Sequence, residues 1–357
     1  MKKILFAIAM FIDNQLWAQE EQKPVISWNG YVEVYYQYDF NKPSDNTRPG
    51  FVYSHNRHNE VNLNLGYLKG SYSAERVRAN LELAAGTYMN ANYAAEPGVL
   101  KNIFEANAGI KLSKKKNLWL DAGIFASHIG FESAVSKDCW TLTRSILADN
   151  SPYFETGIKL TYISDNNKWL FSGLALNGWQ RIQRVAGNSL ISLGTQIQFK
   201  PSDKFLLNYS TFFGTDKPDS ARLYRTYHNL YGIINFTDKL GLTIGLDIGT
   251  EEKTPGGNEI STWYSPVGIL KYSFNDKWTI AGRVENFTDK NGVIISTGTT
   301  NGFQTIGYSL NIDHSPLNNV LVRLEARNFN SKDKIFLRES VSVRNNFFIT
   351  SSIAVSF

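Results

Sequence analysis

The chain has 357 residues, with 37 Lys and Arg against 32 Asp and Glu, which gives a net charge of +5. The basic residues form no block beyond Lys114–Lys116, so the chain lacks the basic stripe that a nucleic-acid partner would require. The single cysteine, Cys139, excludes an internal disulfide, and no change of composition divides the chain into two domains.

Residues 1–18 have the pattern of a secretory signal peptide. Lys2 and Lys3 form a charged start, Ile4–Ile12 is a short apolar stretch, and Ala18 is a suitable last residue before cleavage. A buried N-terminal helix is the alternative interpretation. Beyond this segment no run of about 18 apolar residues occurs, so we expect no transmembrane helix. The exported chain is then a soluble secreted protein or an outer-membrane β-barrel.

Apolar and polar residues alternate with period two along most of the remaining chain, which is typical of half-buried strands. In the first strand Val32 and Val34 share one face, and Glu33 and Tyr35 share the other. The alternating runs are about 10 to 14 residues long, enough to cross a bilayer at a tilt. In the second strand the residues predicted to share one face are Val61, Leu63, Leu65 and Tyr67. We predict about 16 strands, correct to about two. They begin near Val25, Asn59, Glu75, Asn102, Leu118, Tyr153, Trp169, Ser189, Phe205, Leu223, Leu240, Thr262, Lys277, Gly302, Val320 and Arg344.

Short polar joints alternate with long loops between these strands. Tight-turn residues mark joints such as Lys69–Ala74, Asn275–Asp276 and His314–Asn319, whereas Asn41–His58 and Ser127–Pro152 are long. Short turns at one end and long loops at the other are the pattern of an outer-membrane barrel. We therefore predict that residues 19–357 form one all-β unit, an antiparallel transmembrane β-barrel with short periplasmic turns and long extracellular loops. A soluble propeller or sandwich is the alternative, but the strands are long for blades and no blade signature recurs.

Aromatic residues support the barrel at its ends. Trp28, Trp169 and Trp278 lie beside predicted short turns on the face assigned as outward, where a periplasmic girdle in contact with outer-membrane lipid is expected. Trp119 lies beside such a turn too, but its parity is inward. The last strand ends at Phe357, which resembles the terminal aromatic signal recognised by the barrel assembly machinery.

The inward parity carries charges of both signs, and a barrel of this size leaves an aqueous channel. One interpretation is a polar pore wall that selects small hydrophilic solutes, with Arg76/Arg78 and Arg323/Arg327 as basic ladders. The alternative is that most of these charges pair across strands. The predicted pore-lining residues are Arg76, Arg78, Glu82, Glu105, Lys111, Asp121, Glu155, Lys159, Arg283, Glu285, Arg323, Glu325 and Arg327, with Glu33, Arg225 and Asp247 on the same parity.

The loop of residues 127–152 mixes apolar and charged residues, more than a fully exposed loop needs. We expect it to fold into the lumen as a constriction, since loops of this length are usually functional or disordered. A lid packed on the outer loops is the alternative. The candidate constriction residues of this loop are Glu132, Asp138, Trp140, Arg144 and Asp149.

One region resembles a known family. Its pieces are the strand Asp121–Phe125, "HIGFES" from His128 to Ser133, the stretch from "TRS" at Thr143 to "NSPY" ending at Tyr153, and Asn177–Trp179. Together they look like the OmpL-like β-barrel porin family (β-barrel porin family 2), with a weaker resemblance over the whole mature chain. This resemblance implies an outer-membrane location and a pore-forming role, but no particular solute.

Catalytic and metal-binding motifs are scarce. The chain has no G-x-S-x-G, H-E-x-x-H or phosphate-binding loop, and His55 and His58 have no third ligand nearby. We therefore expect a passive porin for small hydrophilic solutes, with no cofactor, no metal and no catalytic residues, and with homo-oligomers as an open question. The alternatives are an outer-membrane barrel enzyme of the lipase or protease type, a facilitator for hydrophobic compounds, and a non-conducting adhesion or structural barrel.

Overall fold

The protein's computed structural model describes residues 23–357, so the signal peptide predicted for residues 1–18 lies outside the described residues. In chain order the elements are β1 (Val25–Asp39), β2 (Val61–Ser73), β3 (Val77–Ala85), α1 (Thr87–Asn92), β4 (Ile103–Lys111), β5 (Asn117–Ala126), α2 (Ile146–Asp149), β6 (Phe154–Ile163), β7 (Trp169–Leu176), β8 (Ser192–Ser202), β9 (Phe205–Gly214), β10 (Arg225–Asn235), β11 (Leu240–Glu252), β12 (Ile260–Ser273), β13 (Trp278–Asp289), β14 (Phe303–Leu317), β15 (Val320–Ser331), β16 (Phe336–Arg338), β17 (Val341–Val343) and β18 (Asn345–Ser356). Short 3₁₀ turns lie at Gly98–Asn102, Ser136–Asp138 and Asp219–Ala221.

Strands β1–β15 and β18 form a closed antiparallel barrel, and β16 and β17 form a separate small hairpin. The predicted fold class and the count of 16 strands are confirmed. The barrel closes where β1 pairs with β18, from Tyr31 opposite Ser356 to Asp39 opposite Phe348. Because every barrel strand has two neighbours, no sheet edge is left to expose unpaired backbone groups to lipid.

Two of the predicted short joints are misplaced. β2 continues through Lys69 to Ser73, so the chain turns at residues 74–76, and β14 continues past His314 to Leu317. The polar residues that suggested early turns lie within strands at the periplasmic end, where water meets the sheet and polar side chains are not excluded. Lys69 consequently belongs to the barrel wall.

A bulge also overturns the single face predicted for the second strand. The register between β1 and β2 shifts at Glu33/Val34, so that Leu63 pairs with Val34 and Leu65 with Glu33. Val61 and Leu63 therefore face outward, whereas Leu65 and Tyr67 face the interior. The extra residue is Asn64, whose buried side-chain amide donates to Glu33 at 2.8 Å.

The largest apolar core lies inside the extracellular half of the barrel. Inward aromatic side chains from the extracellular ends of eight barrel strands meet residues of the connecting segments there. The strand residues are Phe125, Phe212, Tyr227, Trp263, Phe287, Phe303, Phe329 and Phe348; the loops contribute Phe51 and Ile295, and the small hairpin contributes Phe336. Alternation predicted the outward apolar face, but it gave no sign that loops fill this half of the lumen.

None of the helices in residues 23–357 has both the length and the apolar character needed to cross a bilayer. The outward side chains of the strands are instead mostly apolar and exposed, as at Leu230, Ile244, Leu270, Val284 and Leu310. A lipid environment explains why so many large apolar side chains are left uncovered.

This outward face gives a depth-dependent prediction. Leu310 lies at the centre of β14 with its side chain exposed, so Leu310→Arg should lower the free energy of unfolding in lipid vesicles by about 2–4 kcal/mol. The matched control is Leu317→Arg, at the end of the same strand, which should cost about 0–1 kcal/mol. Equal losses in denaturant titrations of the two variants would contradict the assignment of Leu310 to the membrane centre.

Candidate functional site: the lumen and its inserted loop

The segment of residues 127–152, here called the inserted loop, crosses the interior of the barrel. At its start the His128 ring nitrogen Nε2 lies 2.8 Å from the carbonyl oxygen of Thr211 on β9. The backbone N–H of Gly130 donates to Asn229 on β10 at 3.1 Å. On the far side Ser136 donates to Glu33 of β1, and Leu142 N–H donates to Asn311 of β14 at 3.1 Å. The inserted loop therefore contacts wall residues on opposite sides of the lumen.

Four buried charges on β13 and β15 anchor the centre of the inserted loop. The Arg283 guanidinium donates to Glu325 at 2.8 Å and to the carbonyl oxygen of Thr143 at 2.7 Å. Arg327 donates to Glu285 at 3.0 Å and to the carbonyl oxygen of Arg144 at 2.7 Å. The same carboxylates accept from the loop: Glu285 from the N–H of Ile146 at 2.6 Å, and Glu325 from the hydroxyl of Thr143 at 2.9 Å.

These residues form a neutral network rather than a basic ladder. Arg323 follows the same pattern, because it pairs with Asp313 at 2.8 Å and donates to the carbonyl oxygen of Cys139 at 3.0 Å. Removing one member of a buried ion pair typically costs about 3–5 kcal/mol because the other charge is left unpaired. The charges on this side of the lumen thus fix the position of the loop.

The candidate residues of the inserted loop have different surroundings. Glu132 accepts from the N–H of Ser145 at 3.0 Å, and Arg144 donates to the carbonyl oxygen of Leu142 at 2.8 Å; both are buried. The ring of Trp140 lies 4.4 Å from the Lys271 ammonium. Asp138 is exposed. Asp149 is buried, and its Oδ1 atom accepts no hydrogen bond from residues 23–357.

Three glycines on the inward face of β11 make room for aromatic rings. A Cβ atom at Gly241 would lie 2.8 Å from the Trp140 ring, and one at Gly245 would lie 2.6 Å from the Phe131 ring. A Cβ atom at the third, Gly249, would overlap the ring of Trp263. Two members of this glycine stripe, Gly241 and Gly245, are therefore the surface on which Trp140 and Phe131 of the inserted loop pack.

The remaining predicted pore-lining charges lie on the opposite wall. Arg78 makes two hydrogen bonds to Asp121, at 2.7 and 2.5 Å, and its guanidinium also covers the ring of the inward Trp119 at 4.3 Å. Its side chain is 37% exposed, so this pair is open to water in the lumen. Arg76, by contrast, is exposed in the turn before β3 and donates to the carbonyl oxygen of Lys111, so it lies at the rim and not on the wall.

Other wall charges are also paired. Lys69 lies 3.2 Å from Glu82 and also contacts Glu105, and Glu155 accepts from the His128 ring at 2.8 Å. Lys159 covers the ring of Phe125 at 4.4 Å.

Near the extracellular end Arg225 pairs with Glu251 at 2.6 Å, and Asp247 accepts from Asn229 at 2.5 Å. Sequence reasoning missed Lys69 because a turn was predicted there, and missed His128 because its partners Glu155 and Thr211 come from other elements. It also missed Asp313, which lies directly before the turn predicted at His314 and opposite its partner Arg323 on the next strand.

The two histidines of the H-x-x-H pattern are held by separate partners. His55 lies 3.3 Å from Glu33, while His58 accepts from the backbone N–H of Asp39 at 2.9 Å. Within residues 23–357 no group of three or more His, Cys, Asp or Glu side chains is arranged to hold a metal ion.

The predicted girdle tryptophans and the terminal phenylalanine all lie at the ends of the barrel. Trp28, Trp169 and Trp278 are exposed on the outer wall beside short turns, and Phe357 exchanges two backbone hydrogen bonds with Gly30, at 2.7 and 3.0 Å. The chain's last residue thereby extends the pairing of β18 with β1.

The inserted loop separates two cavities. An extracellular cavity of about 350 Å³ is bordered by Asp149, Asn150 and Ser151 of the loop. A periplasmic cavity of about 340 Å³ is bordered by Lys137, Cys139 and Trp140 on the loop's other side. The loop therefore stands between the two mouths of the barrel.

The family model described as "Putative beta-barrel porin-2, OmpL-like" matches residues 25–357, almost the whole described chain. The chain belongs to this family. The OmpL-like porin is thus an outer-membrane channel protein, as the resemblance implied. A comparison with curated proteins finds no match.

Solved structures resemble the OmpL-like porin in fold. An anion-selective porin from Comamonas acidovorans aligns with a TM-score of 0.62 at 10% identity, covering 94% of this chain and 100% of that chain. OmpT of Vibrio cholerae in its trimer form aligns with a TM-score of 0.58 at 7% identity, covering 93% of this chain and 100% of that chain. OmpF of Salmonella typhi, in complex with daunomycin, aligns with a TM-score of 0.58 at 10% identity, covering 93% of this chain and 97% of that chain. At these identities the likeness concerns the fold alone.

The packing of Phe131 on Gly245 predicts how the loop can be displaced. Burial raises the pKa of the Cys139 thiol to about 11, so this single cysteine should react slowly with a maleimide while the loop is docked. Overpacking by Gly245→Val should lower the free energy of loop docking by about 1–3 kcal/mol, which corresponds to labelling about 5-fold to about 150-fold faster.

The control is Gly268→Val on β12, where an added Cβ atom meets nothing within 4 Å. Its labelling rate should equal that of the unchanged protein. Equal rates for both variants would show that the glycine stripe does not hold the loop.

Proposed function

We propose that this OmpL-like porin is a passive diffusion channel for small hydrophilic solutes, with residues 127–152 as its constriction. The observation that carries the proposal is the inserted loop itself, anchored to opposite walls of the lumen between an extracellular and a periplasmic cavity. Any solute that crosses the barrel must pass between this loop and the wall. Its hydrogen-bonded anchors argue for a fixed aperture rather than a mobile gate.

The charge arrangement supports weak ion selectivity. The predicted ladder residues Arg323 and Arg327 are neutralised by Asp313 and Glu285, and the wall residue Arg78 is neutralised by Asp121. Paired charges give a polar wall with a small net field, which suits small hydrophilic solutes of either sign. The accessible Arg78–Asp121 pair is the place where a single substitution would change this balance most.

Further roles are proposed from the sequence and position. We propose that residues 1–18 direct export, that Trp28, Trp169 and Trp278 contact interfacial lipid, and that Phe357 is read by the assembly machinery. The porin family and its neighbours favour a non-enzymatic channel. We propose in addition that the chain has no catalytic function and that it associates with copies of itself, since the similar OmpT of Vibrio cholerae has a trimer form.

Single-channel recording in planar bilayers tests the channel directly. The refolded protein should give stable conductance steps, with a reversal potential near zero under a salt gradient. Heat-modifiable barrels that insert and conduct nothing would refute the proposal.

Substituting Arg78→Ala should shift the permeability ratio toward cations, because Asp121 then lacks its partner. An unpaired charge in water is worth about 1 kcal/mol to an ion about 4 Å away, so the shift should be about fivefold. The double variant Arg78→Ala/Asp121→Asn should restore the original ratio, and Lys114→Ala in an exposed turn should leave it unchanged. An unaltered ratio in the single variant would mean that ions do not pass this wall.

A further inference from the structure

The carboxylate of Asp149 is a buried acceptor without a donor. Asp149 is the last residue of α2 and only 4% exposed. Its Oδ1 atom is fully buried and receives no hydrogen bond from any residue between 23 and 357. The other carboxylates that anchor the inserted loop, Glu285 and Glu325, each accept several hydrogen bonds. A buried unsatisfied carboxylate is costly unless something else pairs with it.

Asp149 borders the extracellular cavity of about 350 Å³, and so does Arg181, whose guanidinium is not fully hydrogen-bonded. The nearest carboxylate to Arg181, Asp216, lies 4.0 Å from its Nε atom, and this buried Nε atom makes no hydrogen bond within the described part of the chain. The other cation of the cavity, Arg225, is occupied by Glu251. The cavity therefore has one hydrogen-bond acceptor, Asp149 Oδ1, and one hydrogen-bond donor, Arg181 Nε, that no other group of the described chain pairs with.

The rest of the lining suits a small organic solute. Trp179 is half-buried and is held edge-on by Phe212 and Tyr227, with ring centroids 5.0 and 4.8 Å away. Gln180 and Asn150 also border the cavity, and their amide N–H groups donate within the chain, to Asn92 and to the carbonyl oxygen of Ile146. A rigid aromatic wall beside a few convergent polar groups is the usual composition of a ligand site.

We propose that this cavity is a binding site for small zwitterionic solutes, namely free amino acids or short peptides, at the extracellular entrance of the channel. The solute ammonium pairs with Asp149, its carboxylate pairs with Arg181, and its apolar part rests on Trp179. The proposal rests on the proposed channel function, since it names a solute class held just before the constriction.

Binding is linked to a proton. Burial raises the pKa of Asp149 to about 8 against the opposing effect of Arg327, so the empty site holds a proton near pH 7. An ammonium favours the ionised carboxylate and displaces that proton. The charged and titratable groups around Asp149 are Arg144, Glu132 and Tyr153 of the inserted loop, Arg283 of β13, Arg327 of β15, Tyr88 of α1, Tyr53, and Arg181, Asp216 and Arg225 across the cavity.

Calorimetric titration with three solutes of matched shape tests the proposal on the refolded full barrel. Leucine carries both charges, 2-hydroxyisocaproate lacks the ammonium, and isopentylamine lacks the carboxylate. Leucine should bind at least about tenfold more tightly than either analogue, because 2-hydroxyisocaproate forms no ion pair with Asp149 and isopentylamine forms none with Arg181. Titration near pH 7 in two buffers of different ionisation heat should show proton release with leucine.

Asp149→Asn should abolish proton release and weaken leucine binding about tenfold or more, and Arg181→Gln should weaken leucine binding but not isopentylamine binding. The control Asp165→Asn, in an exposed turn at the other end, should change neither. Equal affinity for the three solutes, or unchanged binding in Asp149→Asn, would overturn the proposal. Conductance without solute is measured separately, so an open channel that binds no leucine refutes the site and leaves the channel standing.

Discussion

Closure of the sheet between β1 and β18 is the constraint on which the rest of the structure depends. In a membrane each backbone N–H and C=O needs a partner inside the protein, and only a closed barrel gives every strand two neighbours. The pairing runs from Asp39 opposite Phe348 to Tyr31 opposite Ser356, and Phe357 continues it with Gly30. Closure then fixes which side chains face lipid and which face the lumen. The inward side chains and the loops together fill the volume that the barrel encloses.

The enclosed volume is filled unevenly, and charge pairing explains how. On β13 and β15 buried arginines and glutamates neutralise each other and at the same time bind the backbone of the inserted loop, as with Arg283 and Glu325 around Thr143. On the opposite wall Arg78 and Asp121 form a comparable pair that is partly open to water. One set of charges thus positions the inserted loop, while the other faces the lumen beside it. The glycine stripe of β11 completes the docking, since Gly245 leaves the space that Phe131 occupies.

The two mouths of the barrel differ in consequence. The extracellular half contains an apolar core of inward aromatic residues and loop residues, whereas the periplasmic cavity is bordered by groups such as Lys137, Lys271 and Asp313. In the proposed channel, solutes from outside meet the cavity bordered by Trp179 and Asp149 before they reach the inserted loop. The proposed binding site at the entrance and the proposed constriction at the loop therefore lie at different places along the barrel.

The sequence alone determined the barrel, the number of strands, the outward apolar face and the parity of residues such as Arg283 and Glu325. Period-two alternation and turn chemistry are local signals, so they can be recognised in the sequence without knowledge of distant contacts. The tertiary structure alone decided which charges pair, because Arg327 and Glu285 lie 42 positions apart and meet only after the strands align. It also decided the bulge at Asn64 and the unpaired state of Asp149, since both depend on the register and on what other elements place nearby.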